Sequence, residues 1–133
     1  MRGFHFWTDG RKDAVRIPLE NYLKAHATGD RAWARNVFHT EGSMIWIRDG
    51  KYSSGKFDAF ITRAFAGKPA ADEEKRKSNR VIESIDVSGN AANAKIVLDY
   101  PAVKFVDYMT LLKINGESKI VSKVFYAEQK KSQ

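Results

Sequence analysis

The chain has no cysteine among its 133 residues. Disulfides, thiolate metal sites and a cysteine nucleophile are excluded together. No apolar run approaches the roughly 20 residues that cross a membrane as a helix, and no membrane partner is expected. The three histidines, His5, His26 and His39, show no metal-ligand spacing, and no acidic residue stands three before any of them on a helix. A metal is not expected. No glycine-rich phosphate loop, dinucleotide fingerprint or serine elbow is present, so nucleotide chemistry has no support and no cofactor is expected. Acidic charge is in short supply: 16 Asp and Glu stand against 23 Lys and Arg, a net charge of +7. Such a balance can suit nucleic acid. Here the positive charge is scattered, and the densest cluster, DEEKRK at 72–77, carries both signs. It reads as solvated surface, with no nucleic-acid partner.

What remains is one domain with a real core, since 43% of residues are hydrophobic and 12% aromatic. Residues 1–13, MRGFHFWTDGRKD, lack the apolar stretch of a signal peptide. They are either an arm that docks Phe4, Phe6 and Trp7, or a segment of artificial origin replacing a natural leader. The compartment stays open with that choice: cytoplasmic as written, exported if a leader has been removed. The domain itself spans 14–128, and 129–133 form a basic tail.

Three helical patterns come first. The first covers about Ala14 to Ala27, with Pro18 tolerated in its opening turn. Leu19, Tyr22, Leu23 and His26 form its apolar stripe, and Gly29 ends it. Asp30 caps the second, which reaches about Phe38. GSMIWIRDG is a strand closed by an Asp49-Gly50 turn, with Lys51 to Ser53 as the return. Ser53 or Ser54 caps the third helix, whose stripe is Phe57, Phe60, Ile61, Ala64 and Phe65. KPAADEEKRKSN is a charged loop.

Residues 79–127 read as consecutive strands with little between them. Asn115-Gly116 is the strongest hairpin signal. A two-residue turn pairs Ile114 with Glu117. Continued without interruption, that register pairs Leu111 with Ile120, Met109 with Ser122, Asp107 with Val124 and Phe105 with Tyr126. Val106, Tyr108, Leu112, Val121, Lys123 and Phe125 fall on the opposite face. The fold class is α+β: three helices packed in the concave face of a strongly curved antiparallel sheet, a cone around one pocket. Both sheet faces are partly apolar, so the outer face should meet a second copy, with those six residues as the dimer interface.

The segments RIPLENYLKAHATGD, FHTEGSMIWIRDG and, above all, LDYPAVKFVDYMTLLKINGESKIVSKVF resemble the bacterial nuclear transport factor 2-like proteins, in the branch named "putative lumazine-binding". The resemblance covers about 14–128 and implies the SnoaL-like, ketosteroid-isomerase-like cone, often dimeric through its convex side. It implies no single activity, because the superfamily includes isomerases, cyclases, epoxide hydrolases, dehydratases and proteins that only bind. Similar sequences usually carry tryptophan where this chain has Ser118, which should weaken the core at that turn and alter the pocket floor.

Asp107 is the first candidate for chemistry, since a carboxylate on an apolar wall can act as a general base. His39 and Tyr126 are its candidate partners for polarising a carbonyl. Trp46, Tyr100, Phe105, Met109, Tyr22 and Phe60 are expected to line the pocket and orient a flat apolar ligand. His26 reads as a hydrogen-bonded core histidine. The expected function is a small apolar or aromatic ligand-binding cone. The alternatives are an isomerase, cyclase or dehydratase using Asp107, and a structural dimer module with a vestigial pocket.

Overall fold

The computed structural model describes the backbone of residues 2–131 and the side chains of residues 11–131. The first helix, α1, spans Arg2–Thr28 and α2 spans Arg31–Val37. Strands β1 (Phe38–Arg48) and β2 (Lys51–Lys56) lead to α3 (Phe57–Ala64) and the single turn α4 (Glu73–Arg76). Four long strands follow: β3 (Arg80–Ser88), β4 (Ala91–Asp99), β5 (Val103–Ile114) and β6 (Glu117–Gln129). They form one six-stranded curved, unclosed sheet in the order β2-β1-β6-β5-β4-β3. All neighbours are antiparallel except β1 and β6, which run parallel.

Helix α1 begins well before Ala14, so Pro18 lies inside it rather than in its first turn. Proline removes the N–H that would reach the Ala14 carbonyl. Ala14 is exposed, which leaves that carbonyl to water. The docking expected of Phe4, Phe6 and Trp7 lies outside the described side chains. Asp30 caps α2 by accepting the Ala32 N–H at 2.8 Å. Neither Ser53 nor Ser54 caps α3, because β2 continues to Lys56. Both two-residue turns take positive φ at both positions, Asp49 and Gly50 at 50° and 75°, Asn115 and Gly116 at 51° and 84°. That is the geometry whose twist matches antiparallel strands.

Leu19, Tyr22 and Ala25 of α1 and Ala34 and Val37 of α2 bury against the sheet, as do Phe57, Ile61 and Phe65 at and after α3. Phe38 stacks on Phe57 at 4.1 Å. The sheet answers with Ile96, Leu98, Met109, Leu111 and Ile120. On α3 the buried line is Phe57 and Ile61. Phe60 is half-buried, and Ala64 is exposed. The charged loop contains α4, whose Glu73 holds Arg80 through two bonds of 2.7 and 2.6 Å.

The largest departure from expectation is in the last hairpin. Ile114 pairs with Glu117 and Leu111 with Ile120, but Thr110 then pairs with Ser122. Val121 is an extra residue, a bulge. From there every partner moves by one: Met109 meets Lys123, Asp107 meets Phe125, and Val106 meets Tyr126. Because side chains alternate, a slip of one residue exchanges the two faces of the strand. Lys123 and Phe125 therefore leave the expected dimer face for the concave side. Val124 and Tyr126 take the convex side, beside Tyr108 and Leu112.

Candidate active site

The open part of the cone holds a cavity of about 320 Å³. Its walls come from α1 (Tyr22, His26), β1 (Met44, Trp46), α3 (Phe60), β4 and its end (Leu98, Tyr100), β5 (Phe105, Asp107) and β6 (Lys123, Phe125). Trp46 stacks on Phe125 at 5.6 Å. Tyr100 is fixed from behind, its hydroxyl accepting from Arg80 Nε at 3.0 Å. Of the expected pocket residues, Trp46, Tyr100, Phe105, Tyr22 and Phe60 line the cavity. Met109 lies deeper, in the core.

Three polar side chains meet on this apolar wall. Tyr22 Oη donates to Asp107 Oδ2 at 3.0 Å. Lys123 Nζ donates to Tyr22 Oη at 3.1 Å. Lys123 Nζ stands 4.0 Å from Asp107 Oδ2, and the two residues are 4% and 0% exposed. Such burial is rare for a lysine or an aspartate without a partner. Aromatic rings surround the ammonium, with centroids at 4.1 Å (Phe60), 4.9 Å (Phe125) and 5.6 Å (Tyr22). Asp107 Oδ1, by contrast, is buried with no hydrogen-bond partner.

Burial pushes the Asp107 carboxyl above its ordinary value, opposed by the Lys123 charge and the Tyr22 hydrogen bond. Burial lowers Lys123, opposed by Asp107. Tyr22 is held well above the ordinary tyrosine range, by burial and then by the charge and hydrogen bond of Asp107. It therefore keeps its proton and donates it to the carboxylate. Burial thus disfavours the charged form of both Lys123 and Asp107, and Tyr22 stands between them.

Arginines stand at the same cavity. Arg48, Arg63 and Arg76 contribute to its lining. Arg76 lies 4.4 Å over the Tyr100 ring and pairs with Asp72 at 2.6 Å. Arg48 and Arg63 make no salt bridge among the described residues. With Lys123, the lining holds four cationic side chains against one carboxylate.

Among the expected catalytic residues only Asp107 lines the cavity. Tyr126 is 61% exposed on the convex face, because the bulge turns it outward. His39 sits in β1, where its Nδ1 accepts the Glu41 N–H at 3.1 Å. Lys123 and Phe125, expected at a dimer interface, belong to the cavity instead. The three arginines were not singled out from the sequence at all. Ser118 borders a separate hollow of about 340 Å³ beside Val15, Ala92 and Leu111, which shares no residue with the aromatic cavity. Ser118 is therefore not part of the aromatic cavity's lining.

His26 differs from the hydrogen-bonded core histidine expected. Its Nε2 is shielded and has no partner, and its ring lies edge-on to Tyr22 at 4.6 Å and Phe65 at 5.1 Å. Burial holds it well below 6.5, helped by the charges of Lys123, Arg80 and Arg76. The unfolded chain then binds a proton that the folded chain refuses. Stability should fall as pH drops below about 6.5, by up to about 1.4 kcal/mol per pH unit. Urea unfolding of wild type and His26→Gln between pH 7.5 and 5.5 measures this. The gap between the two proteins should change in the variant's favour as pH falls, and a constant gap would mean that His26 is free to ionise.

Comparison with known proteins places the chain. A nuclear transport factor 2-like protein of unknown function from Shewanella baltica OS155 superposes with a TM-score of 0.80 at 23% identity, over 91% of this chain and 96% of that one. Another from Silicibacter pomeroyi DSS-3 gives 0.75 at 26%, over 91% and 98%. By sequence, the aldolase FrzH of Cladobotryum sp. is 24% identical over 124 residues, 90% of this chain and 94% of that one. No described helix is long and apolar enough to cross a membrane. Residues 10–126 match the family model "Putative lumazine-binding", and the chain belongs to that family of the nuclear transport factor 2-like superfamily.

Proposed function

We propose that the chain is a cofactor-independent enzyme that takes a proton from carbon next to a carbonyl, on a small apolar substrate carrying an anionic group. The observation that carries this reading is Asp107. Asp107 lines the cavity, one of its carboxylate oxygens is held by Tyr22, and the other is buried without a protein partner. A buried carboxylate oxygen without a protein partner is costly and is suited to accept a proton. The only Tyr22 proton is already given to Asp107, so activation of the carbonyl falls to Lys123. The aromatic walls hold the apolar body, and the arginines favour a carboxylate or phosphate. An aldolase such as the FrzH relative works at a carbon next to a carbonyl, which supports the reaction class.

The test follows hydrogen exchange in heavy water by NMR. Benzylpyruvate and benzylacetone share the aryl chain and the ketone and differ by a carboxylate against a methyl group. The protein should accelerate loss of the protons beside the ketone, more strongly for benzylpyruvate. Binding without acceleration would make the domain a ligand carrier, and neither would leave a vestigial pocket.

The proposed assembly is a homodimer through the convex sheet face. With the bulge included, that face presents Tyr108, Leu112, Val124 and Tyr126, exposed by 52%, 38%, 44% and 61%. Burying such side chains is favourable by about 25 cal/mol per Å² before the cost of association. Sedimentation at micromolar concentration should give twice the chain mass, and Tyr126→Glu should return it to one.

A further inference from the structure

We infer that Lys123 is the nucleophile of the site: its amine condenses with the substrate carbonyl to form an imine. The inference rests on the carbonyl chemistry proposed above and names how the carbonyl is activated. Three observations converge on it. Lys123 lines a cavity large enough for a small ligand. It is enclosed by the Phe60, Phe125 and Tyr22 rings, an apolar setting that favours the uncharged, nucleophilic amine. And it heads a hydrogen-bonded chain in which Nζ donates to Tyr22 Oη and Tyr22 Oη donates to Asp107 Oδ2.

That chain supplies the proton movements. As the Nζ proton passes to Tyr22 Oη, the Tyr22 proton passes to Asp107 Oδ2. An ammonium and a carboxylate become an amine and a carboxylic acid, without bulk water. The free electron pair of Nζ attacks the carbonyl carbon, forming the C–N bond as the C=O π bond opens, and one proton of the attacking amine moves to the oxygen, leaving a hydroxyl and a neutral secondary amine. Asp107 returns its proton to that oxygen, the C–O bond breaks, and water departs. The products are an iminium on Lys123, a carboxylate on Asp107 and one water, with no net change of charge. The carboxylate then takes the proton from the neighbouring carbon, and the electron pair left behind neutralises the iminium as an enamine. Asp107 returns a hydrogen to that carbon, which restores the iminium, and one water then hydrolyses it to the ketone, the Lys123 ammonium and the Asp107 carboxylate. An arginine at 123 would keep the positive charge but could not form the imine.

The experiment is reductive trapping. The full chain is incubated with benzylpyruvate and cyanoborohydride, and the modified residue is found by peptide mass spectrometry. The expected result is one dominant adduct at Lys123, formed faster than on the other 13 lysines and suppressed in Asp107→Asn. Lys123→Arg should give no adduct there and should exchange protons only at the rate of buffer. Exchange by wild type without an adduct at Lys123, or full exchange by Lys123→Arg, overturns the imine and leaves the acid–base reading standing. An adduct at Lys123 without exchange upholds the imine and overturns that reading. Absence of both overturns the two together.

Discussion

Asp107→Asn is expected to lower the catalysed exchange of benzylpyruvate by about 10²–10⁴-fold while leaving its affinity nearly unchanged. Asparagine has the shape of aspartate and can still accept the Tyr22 hydroxyl, so the wall of the cavity persists. It cannot accept a proton from carbon. In wild type the rate should climb with pH as the carboxyl ionises, and burial places that climb above the ordinary carboxylate range. The variant should show no such climb. Saturation kinetics separate the two roles: a loss in the maximal rate marks a base, whereas a loss confined to affinity would make Asp107 a binding group.

Much of the cone was legible because local chemistry and tertiary structure agree in it. Asp30 caps α2 because its carboxylate reaches an unpaired amide. Asp49-Gly50 and Asn115-Gly116 form their turns because these residues tolerate positive φ. Asp107 was found because alternation back from the Asn115-Gly116 turn puts β5 in the correct phase. The same counting failed on β6, since a register argument carries one error through every later residue. The signal was present but weak. Ile120 and Val121 are adjacent apolar residues on a strand that should alternate, which is how a bulge looks in sequence. Recognising it would have moved Lys123 and Phe125 inward and Tyr126 outward.

Other features had no local signature. The parallel pairing of β1 with β6 depends on contacts far apart in sequence. Arg48, Arg63 and Arg76 come from a strand end, a helix and an isolated helical turn. Each looks like solvated surface charge, and only the fold puts them on one cavity. Tyr22 was legible as an inward residue by helical spacing. Its role as the link between Lys123 and Asp107 needed the distances, because the three lie 85 and 101 positions apart in the pairs Tyr22–Asp107 and Tyr22–Lys123.

The buried charges themselves carry the last prediction. Lys123→Met is expected to destabilise the fold by about 3–5 kcal/mol near neutral pH, because it strands a buried carboxylate. Asp107→Asn should cost less, since Tyr22 and three rings still attend the ammonium. The double variant should approach or exceed the stability of wild type, as replacing both members of a buried pair is often neutral or better. The cost of Lys123→Met should also depend on pH, and its sign is fixed. Asp107 has a raised pKa in the folded chain, and loss of the cation raises it further. Such an acid leaves the fold at full stability below its unfolded value of 3.8 and weakens it as pH rises through the folded value. The deficit of Lys123→Met against wild type should therefore be large at pH 7.5 and shrink toward pH 4. Because the Lys123 charge also lowers His26, the comparison is made in a common His26→Gln background, where that contribution drops out. Urea unfolding of the four proteins at both pH values measures the coupling. Additive single effects, or a Lys123→Met deficit that ignores pH, would mean that Asp107 carries no charge in the folded wild-type protein, and a neutral Asp107 at pH 7.5 could not serve as the base.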